Sequence, residues 1–151
     1  MSTSLHTSYA ENEVLNAPPE RLVQILYQLG IKAIVAAREC VRTKDIAGRT
    51  RHINKAFDVT TELLNGLDYE AGAEIALNYG RLYDYCQRRL IEANSSQSDE
   101  ILAEVQSLFE DLSEAWQIVV AKTAAERRHI LYSAEPPDNA AELAGTISCV
   151  G

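Results

Sequence analysis

Residues 67–116 read LDYEAGAEIALNYGRLYDYCQRRLIEANSSQSDEILAEVQSLFEDLSEAW, and the fold class follows from this stretch. It contains two long segments with apolar residues three and four positions apart, the spacing of one face of an α-helix. A polar run at residues 94–98 (NSSQS) separates them and predicts a turn, with Ser98 as the N-cap of the second helix. The stretch therefore predicts two consecutive helices.

Both predicted helices carry a continuous apolar stripe. In the first, which Asp68 can cap, the stripe is Ile75, Tyr79, Leu82, Cys86 and Leu90. In the second, the stripe is Ile101, Val105, Leu108, Leu112, Ala115 and Val119. This spacing is typical of the seam of a helical bundle.

The N-terminal half predicts two further helices. Pro18 and Pro19 suit a first helical turn, after which an apolar stripe continues for five turns. Asp45 can cap a second helix, and Gly66 marks its end. Because short connections favour antiparallel neighbours, the predicted fold is all-α, an antiparallel four-helix bundle.

The chain divides into three predicted regions. Residues 1–17 are polar without a sustained period and are expected to form a mobile N-terminal arm. Residues 18–121 are expected to form the bundle. Residues 122–151 are expected to be a helix extension followed by a disordered tail. Residues 121–132 either extend the fourth helix or form a short extra C-terminal helix.

Composition restricts the class of partner and the compartment. The chain has 151 residues, with 14 basic and 22 acidic side chains and a net charge of −8, which argues against nucleic acid as the main partner. The three cysteines have no CxxC spacing, and neither a signal segment nor a run of about 18 apolar residues is present. We therefore expect a cytoplasmic protein that does not insert into a membrane.

The charges are unevenly distributed. Between Arg89 and Lys122 there is no lysine or arginine, whereas residues 38–55 carry six basic side chains. This pattern indicates either two solvated helix faces that attract each other across the bundle or a polarised docking surface.

The titratable residues give little support to an enzyme. A di-metal bundle needs two Glu-x-x-His pairs, and the chain has one such spacing, Glu126 to His129. A Gly-rich phosphate loop and an HExxH motif are both missing. The sequence therefore predicts no catalytic residue, no metal and no cofactor.

One alternative function concerns His52. Histidine phosphotransfer domains are four-helix bundles with one exposed histidine, a lysine three positions later and a small residue after it. Here the run is HINKA, with His52, Lys55 and Ala56, although that family has glycine where Ala56 stands. The alternative interpretation is a solvated histidine.

Several helices carry more apolar residues than one buried face requires. The extra residues include Tyr27, Tyr79, Tyr83, Phe109 and Trp116. They indicate either a wide core, in which tyrosine hydroxyls reach water, or an apolar groove that binds an amphipathic segment. The spacing alone leaves both interpretations open.

Over residues 9–120 the chain resembles the FliS family of flagellin-specific export chaperones. The resemblance rests on Tyr9, PPERLVQILYQLGIKAIVAA (18–37), Asp45, INKAFDVTTELLNGLD (53–68), GAEIALNYGRLYDYCQRRLIEAN (72–94) and EAW (114–116). One departure is Ala17-Pro18, where the family usually has Ser-Pro.

The resemblance implies a cytoplasmic chaperone, not an enzyme, that needs no nucleotide. It would bind the disordered C-terminal segment of flagellin, block premature polymerisation and present the complex to a component of the export gate. A homodimer without client, and a helical adaptor with a different client, are left open.

The client-binding groove implied by this resemblance is expected to use Val23, Tyr27, Ile34, Tyr79, Tyr83, Leu102 and Phe109. Tyr9 in the arm is expected to cover the groove in the free protein. A Tyr83→Glu change is expected to weaken flagellin binding without loss of helicity; loss of helicity would assign Tyr83 to the core.

Overall fold

A computed structural model of the protein describes residues 18–133, with the side chains of residue 18 and of residues 20–122. This part of the chain contains four helices and no strand: α1 (Pro19–Thr43), α2 (Ile46–Asn65), α3 (Tyr69–Ser96) and α4 (Asp99–Ser133). The helices pack as a four-helix bundle. The predicted fold class is therefore confirmed.

The chain divides into two compact units after Trp116, within α4. The sequence placed the end of the bundle five residues later, after residue 121. The core and the surfaces described below lie in the first unit.

The helix starts are those that the capping residues predict. The Asp45 carboxylate accepts from the backbone N–H of Gly48 at 2.9 Å. Asp68 accepts from the N–H groups of Glu70 and Ala71 at 3.1 and 3.0 Å. Each carboxylate thus satisfies backbone donors that have no partner within the helix. Ser98 Oγ does the same for α4, accepting from the Ile101 N–H at 3.2 Å.

The turn between α3 and α4 is shorter than the polar run 94–98 suggests. The hydroxyls of Ser95 and Ser96 donate to the Glu92 carbonyl at 3.1 and 2.7 Å, which keeps both serines within α3. Gln97 then ends the helix in a left-handed conformation, with φ of 54°. Only two residues separate the helices.

The core is formed by apolar side chains from all four helices. Its largest fully buried members are Tyr27, Ile34, Leu90, Leu102, Val105 and Phe109. Phe109 lies directly against the backbone of α1 at Gly30. A Cβ built on Gly30 would be 2.5 Å from Phe109 Cε1 and 3.4 Å from Val59 Cγ1 of α2. Glycine at position 30 therefore makes room for the Phe109 ring beside the α1–α2 pair.

The stripe of α3 leaves the core towards the start of the helix. Cys86 and Leu90 are buried, Tyr79 and Leu82 are half-buried, and Ile75 is 67% exposed. The prediction that Ile75 belongs to the core face is therefore wrong. Two residues before it, Ala73 has φ of 44° and ψ of −120°, which interrupts the helical geometry. Ala76 and Tyr83 occupy the core face of α3 instead.

Candidate functional site: an apolar surface on α3

A buried aromatic cluster lies beneath the candidate surface and joins three helices. The hydroxyls of Tyr27 on α1 and Tyr83 on α3 share a hydrogen bond. The Tyr27 ring meets the Phe109 ring of α4 edge-on, with centroids 6.2 Å apart. Burial raises the pKa of Tyr27 to about 12 and also raises the pKa of Tyr83, so both hydroxyls stay protonated near neutral pH.

Two polar contacts attach α1 to α4 at the same end of the bundle. Gln24 Nε2 donates to Ser113 Oγ at 2.9 Å, and Trp116 Nε1 donates to the Glu20 carbonyl at 2.9 Å. The Gln24 Oε1 atom is buried without a hydrogen-bond partner among the described residues. The start of α1 is therefore fixed to α4 by side chains.

Most of the predicted groove residues belong to the core. Tyr27, Ile34, Tyr83, Leu102 and Phe109 are buried, with exposed fractions of 3% or less. The extra apolar residues Tyr27, Tyr83 and Phe109 thus widen the core. The two tyrosine hydroxyls bond to each other inside the bundle, and Phe109 packs against the α1 backbone at Gly30. The structure therefore places these five residues in the core and not on an open surface. Their contact with a client is not tested by the free structure and stays a prediction.

The other two groove residues, Val23 and Tyr79, are half-buried and pack against the core. The Tyr79 ring lies 6.0 Å from the Tyr83 ring. Tyr9, the predicted arm residue, lies outside the described residues.

The most exposed apolar residue near this cluster is Ile75. Ile75, Tyr79 and Leu82 follow one another at four- and three-residue spacing and so share one face of α3. We call this stripe the α3 apolar surface. It runs from the exposed Ile75 to Tyr79, whose ring lies beside the Tyr83 ring of the buried pair. Sequence reasoning assigned Ile75 to the core.

Charge pairs attach α4 to its neighbours nearer the α3–α4 turn. Arg38 Nε contacts Asp99 Oδ1 at 2.7 Å, and this hydrogen bond lowers the pKa of Asp99. Glu104 accepts from the Tyr85 hydroxyl and from Arg89 Nη2, and these bonds lower the pKa of Glu104. Arg38 belongs to the basic stretch and Asp99 to the acidic one, so attraction across the bundle accounts for part of the charge pattern.

The described residues show few features of a catalytic or metal-binding site. His52 is half-buried on α2, with Lys55 exposed beside it. Among the side chains that the structure describes, up to Lys122, no group of three or more His, Cys, Asp or Glu is placed to hold a metal ion. None of the four helices between residues 18 and 133 has the continuous apolar length that a membrane span requires.

A helical bundle with an exposed apolar line on one helix is typical of a module that binds another polypeptide. Residues 1–123 match the family described as Flagellar protein FliS, and the chain belongs to that family. This is a family of chaperones and not of enzymes, which favours the chaperone over the phosphotransfer alternative for His52.

Relatives from several bacteria match this chain over most of their own length. The flagellar secretion chaperone FliS of Salmonella typhimurium is 34% identical over 115 residues, which is 76% of this chain and 85% of the relative. The flagellar secretion chaperone FliSB of Pseudomonas aeruginosa is 37% identical over 106 residues, 70% and 84% of the two chains. The FliS chaperone of Bacillus subtilis is 29% identical over 122 residues, 81% and 90% of the two chains.

Proposed function

We propose that this protein binds the disordered C-terminal segment of flagellin in the cytoplasm, prevents its premature polymerisation and delivers it to the flagellar export gate. The relatives carry the name of flagellar secretion chaperones, which supports a flagellar client. The single structural observation that supports the proposal is the α3 apolar surface, with Ile75 67% exposed.

The physical basis is coupled folding and binding. An amphipathic client segment can place its apolar side chains on Ile75, Tyr79 and Leu82, as in other helix-in-groove complexes. Such events bury about 1,000–3,000 Å² and carry an ordering cost of about 2–5 kcal/mol or more. Because that cost reduces the net affinity, the client can be released at the export gate without nucleotide hydrolysis.

A matched pair of substitutions on α3 tests this proposal. Ile75→Glu and Leu77→Glu make the same change on one helix, at positions 67% and 49% exposed. Two positions along a helix point to different faces, so only Ile75→Glu places a carboxylate on the α3 apolar surface. Binding of a fluorescent flagellin C-terminal peptide is measured by anisotropy, and circular dichroism confirms that each variant is helical.

We expect Ile75→Glu to weaken peptide binding by about tenfold or more, equivalent to about 1.4 kcal/mol. Leu77→Glu is expected to leave the affinity nearly unchanged. Equal affinity for both variants and the wild type would remove the α3 apolar surface from the client site.

The predicted role of Tyr9 needs a separate test. Deleting residues 1–16 removes the arm residue and, if the arm competes with the client, tightens peptide binding. Unchanged or weaker affinity of the deletion variant would show that the arm does not compete.

A further inference from the structure

A second groove lies between α1 and α2. It encloses about 360 Å³. Its apolar floor is Leu29, Ala33 and Ala36 of α1. The two helices run side by side here: Gly30 lies beside Val59 at one end, and Cys40 lies beside Gly48 at the other. Ile75, Tyr79 and Leu82, which form the α3 apolar surface, do not line this groove.

Basic side chains border the floor on both sides. Lys32 lies on α1, and Arg51, His52 and Lys55 lie on α2. Lys32, Arg51 and Lys55 are exposed, and among the described residues none of the three has an ion-pair partner. Other basic residues nearby are paired, since Arg38 contacts Asp99 and Arg42 contacts Glu39. The groove therefore concentrates unpaired positive charge on a chain whose net charge is −8.

The spacing of these charges specifies the shape of a ligand. Arg51 and Lys55 are one helical turn apart, about 6 Å along α2. Glutamates four residues apart on another helix have the same separation. Ala33 and Ala36 project little from the floor, so a second helix can approach α1 closely. Lys32 on the opposite side can then meet a carboxylate on the other flank of that helix.

The acidic side chains of α2 define where the positive region ends. Asp58 and Glu62 follow Lys55 on successive turns and are exposed. A ligand carboxylate is therefore favoured beside Arg51 and Lys55 and disfavoured further along α2, towards its C-terminus. This polarity gives a bound helix one preferred position along the groove.

We propose that the α1–α2 groove is a docking site for an acidic amphipathic helix of a partner protein. That helix carries a short apolar stripe of small residues flanked by Glu or Asp at four-residue spacing. Its apolar residues cover the Leu29–Ala36 floor, and its carboxylates pair with Lys32, Arg51 and Lys55. This function goes beyond client binding at α3 and allows a second partner to bind at the same time.

Designed peptides serve as the probes. One fluorescein-labelled peptide has an Ala/Leu stripe flanked by glutamates, and a second has the same stripe flanked by lysines. We expect saturable binding of the glutamate peptide to the full chain by anisotropy and much weaker binding of the lysine peptide. Raising the salt concentration is expected to weaken the complex, since its charges are exposed.

Two double variants locate the site. Lys32→Glu with Lys55→Glu reverses two groove charges, and we expect it to weaken glutamate-peptide binding by at least about tenfold. Arg81→Glu with Arg88→Glu makes the same change in net charge at exposed positions of α3 and is expected to leave the affinity within about twofold. Circular dichroism checks that both double variants are folded.

Four results would overturn this inference. The first is no saturable binding of the glutamate peptide, and the second is an equal loss of its affinity in both double variants. The third is equal binding of a polyglutamate peptide that has no apolar residues. The fourth is a homodimer, seen in sedimentation equilibrium, that the Lys32→Glu/Lys55→Glu substitutions dissociate. The last would assign the groove to a second copy of the chain.

The flagellin peptide separates the two proposals. It is expected to bind the Lys32→Glu/Lys55→Glu variant with wild-type affinity. Loss of flagellin binding in that variant would show that the groove is part of the client site, contradicting an independent second site. Failure of the Ile75→Glu test alone leaves the groove result unaffected.

Discussion

Replacing Gly30 with alanine tests whether Phe109 belongs to the core. The added Cβ would lie 2.5 Å from Phe109 Cε1 and 2.9 Å from Cδ1, whereas carbon atoms normally rest about 3.5–4.0 Å apart. The ring must therefore move by about 1 Å. It has little freedom to do so, because Phe109 is fully buried and Tyr27 packs edge-on against it.

Two opposing effects determine the size of the change. Overpacking a core costs about 1–3 kcal/mol, while alanine in place of glycine inside a helix gains about 1 kcal/mol. Because the contact is with a ring enclosed by core side chains, we expect overpacking to win. The expected net loss is up to about 2 kcal/mol, or a decrease in Tm of up to roughly 8 °C.

Urea and thermal unfolding followed by circular dichroism measure this loss. The control is Gly66→Ala, where the added Cβ makes only ordinary contacts, the nearest at 3.5 Å, and φ is −82°. We expect this control to be neutral or stabilising by up to about 1 kcal/mol. In a Phe109→Leu background, Gly30→Ala should cost less stability than it does in the wild type, since the ring that it meets is gone. A stabilising Gly30→Ala change would refute the placement of Phe109 against α1.

Three further predictions concern the fold. Ala73→Gly removes the cost of a side chain at φ of 44° and should raise the free energy of unfolding by about 1 kcal/mol in thermal denaturation; a lower Tm would argue against the kink. Glu104→Gln should destabilise the protein at pH 7 by up to about 1 kcal/mol. Because the pKa of Glu104 is lowered in the folded protein, its carboxylate stabilises the fold above about pH 4.3. The difference in unfolding free energy between the wild type and Glu104→Gln, measured by urea titration, should therefore shrink as the pH falls below that value. Because the pKa of Tyr27 is raised to about 12, wild-type stability should fall between pH 10 and 12. Tyr27→Phe should flatten that fall and cost about 1–2 kcal/mol at pH 7, since Tyr83 loses its partner; an unchanged pH profile would contradict this.

The helix starts could be predicted because the relevant chemistry is local. Asp45, Asp68 and Ser98 each cap a helix through a backbone group two or three residues away. The end of α3 was less predictable. Ser95 and Ser96 are compatible with a turn, and their bonds to Glu92 instead extend the helix by two residues beyond Asn94.

The division between core and surface could not be read from spacing. Periodicity shows which side chains share a face, but it does not show how far neighbouring helices cover that face. Tyr27 and Tyr83 are buried because their hydroxyls meet across the bundle, at positions 56 residues apart. Ile75 has the same periodicity as Leu82 but is exposed, because Ala76 and not Ile75 faces the core at that turn of α3. Both outcomes depend on tertiary packing.

The central claim is that this chain is a chaperone for the C-terminal segment of flagellin. Isothermal titration calorimetry against the last ~40–50 residues of flagellin from the same genome, at several temperatures, tests this claim most directly, since that length can bury the area expected of coupled folding. We predict saturable one-to-one binding with a negative heat-capacity change, as expected when apolar surface is buried. Absence of binding heat at every temperature, together with failure of the two chains to co-elute, would contradict the claim.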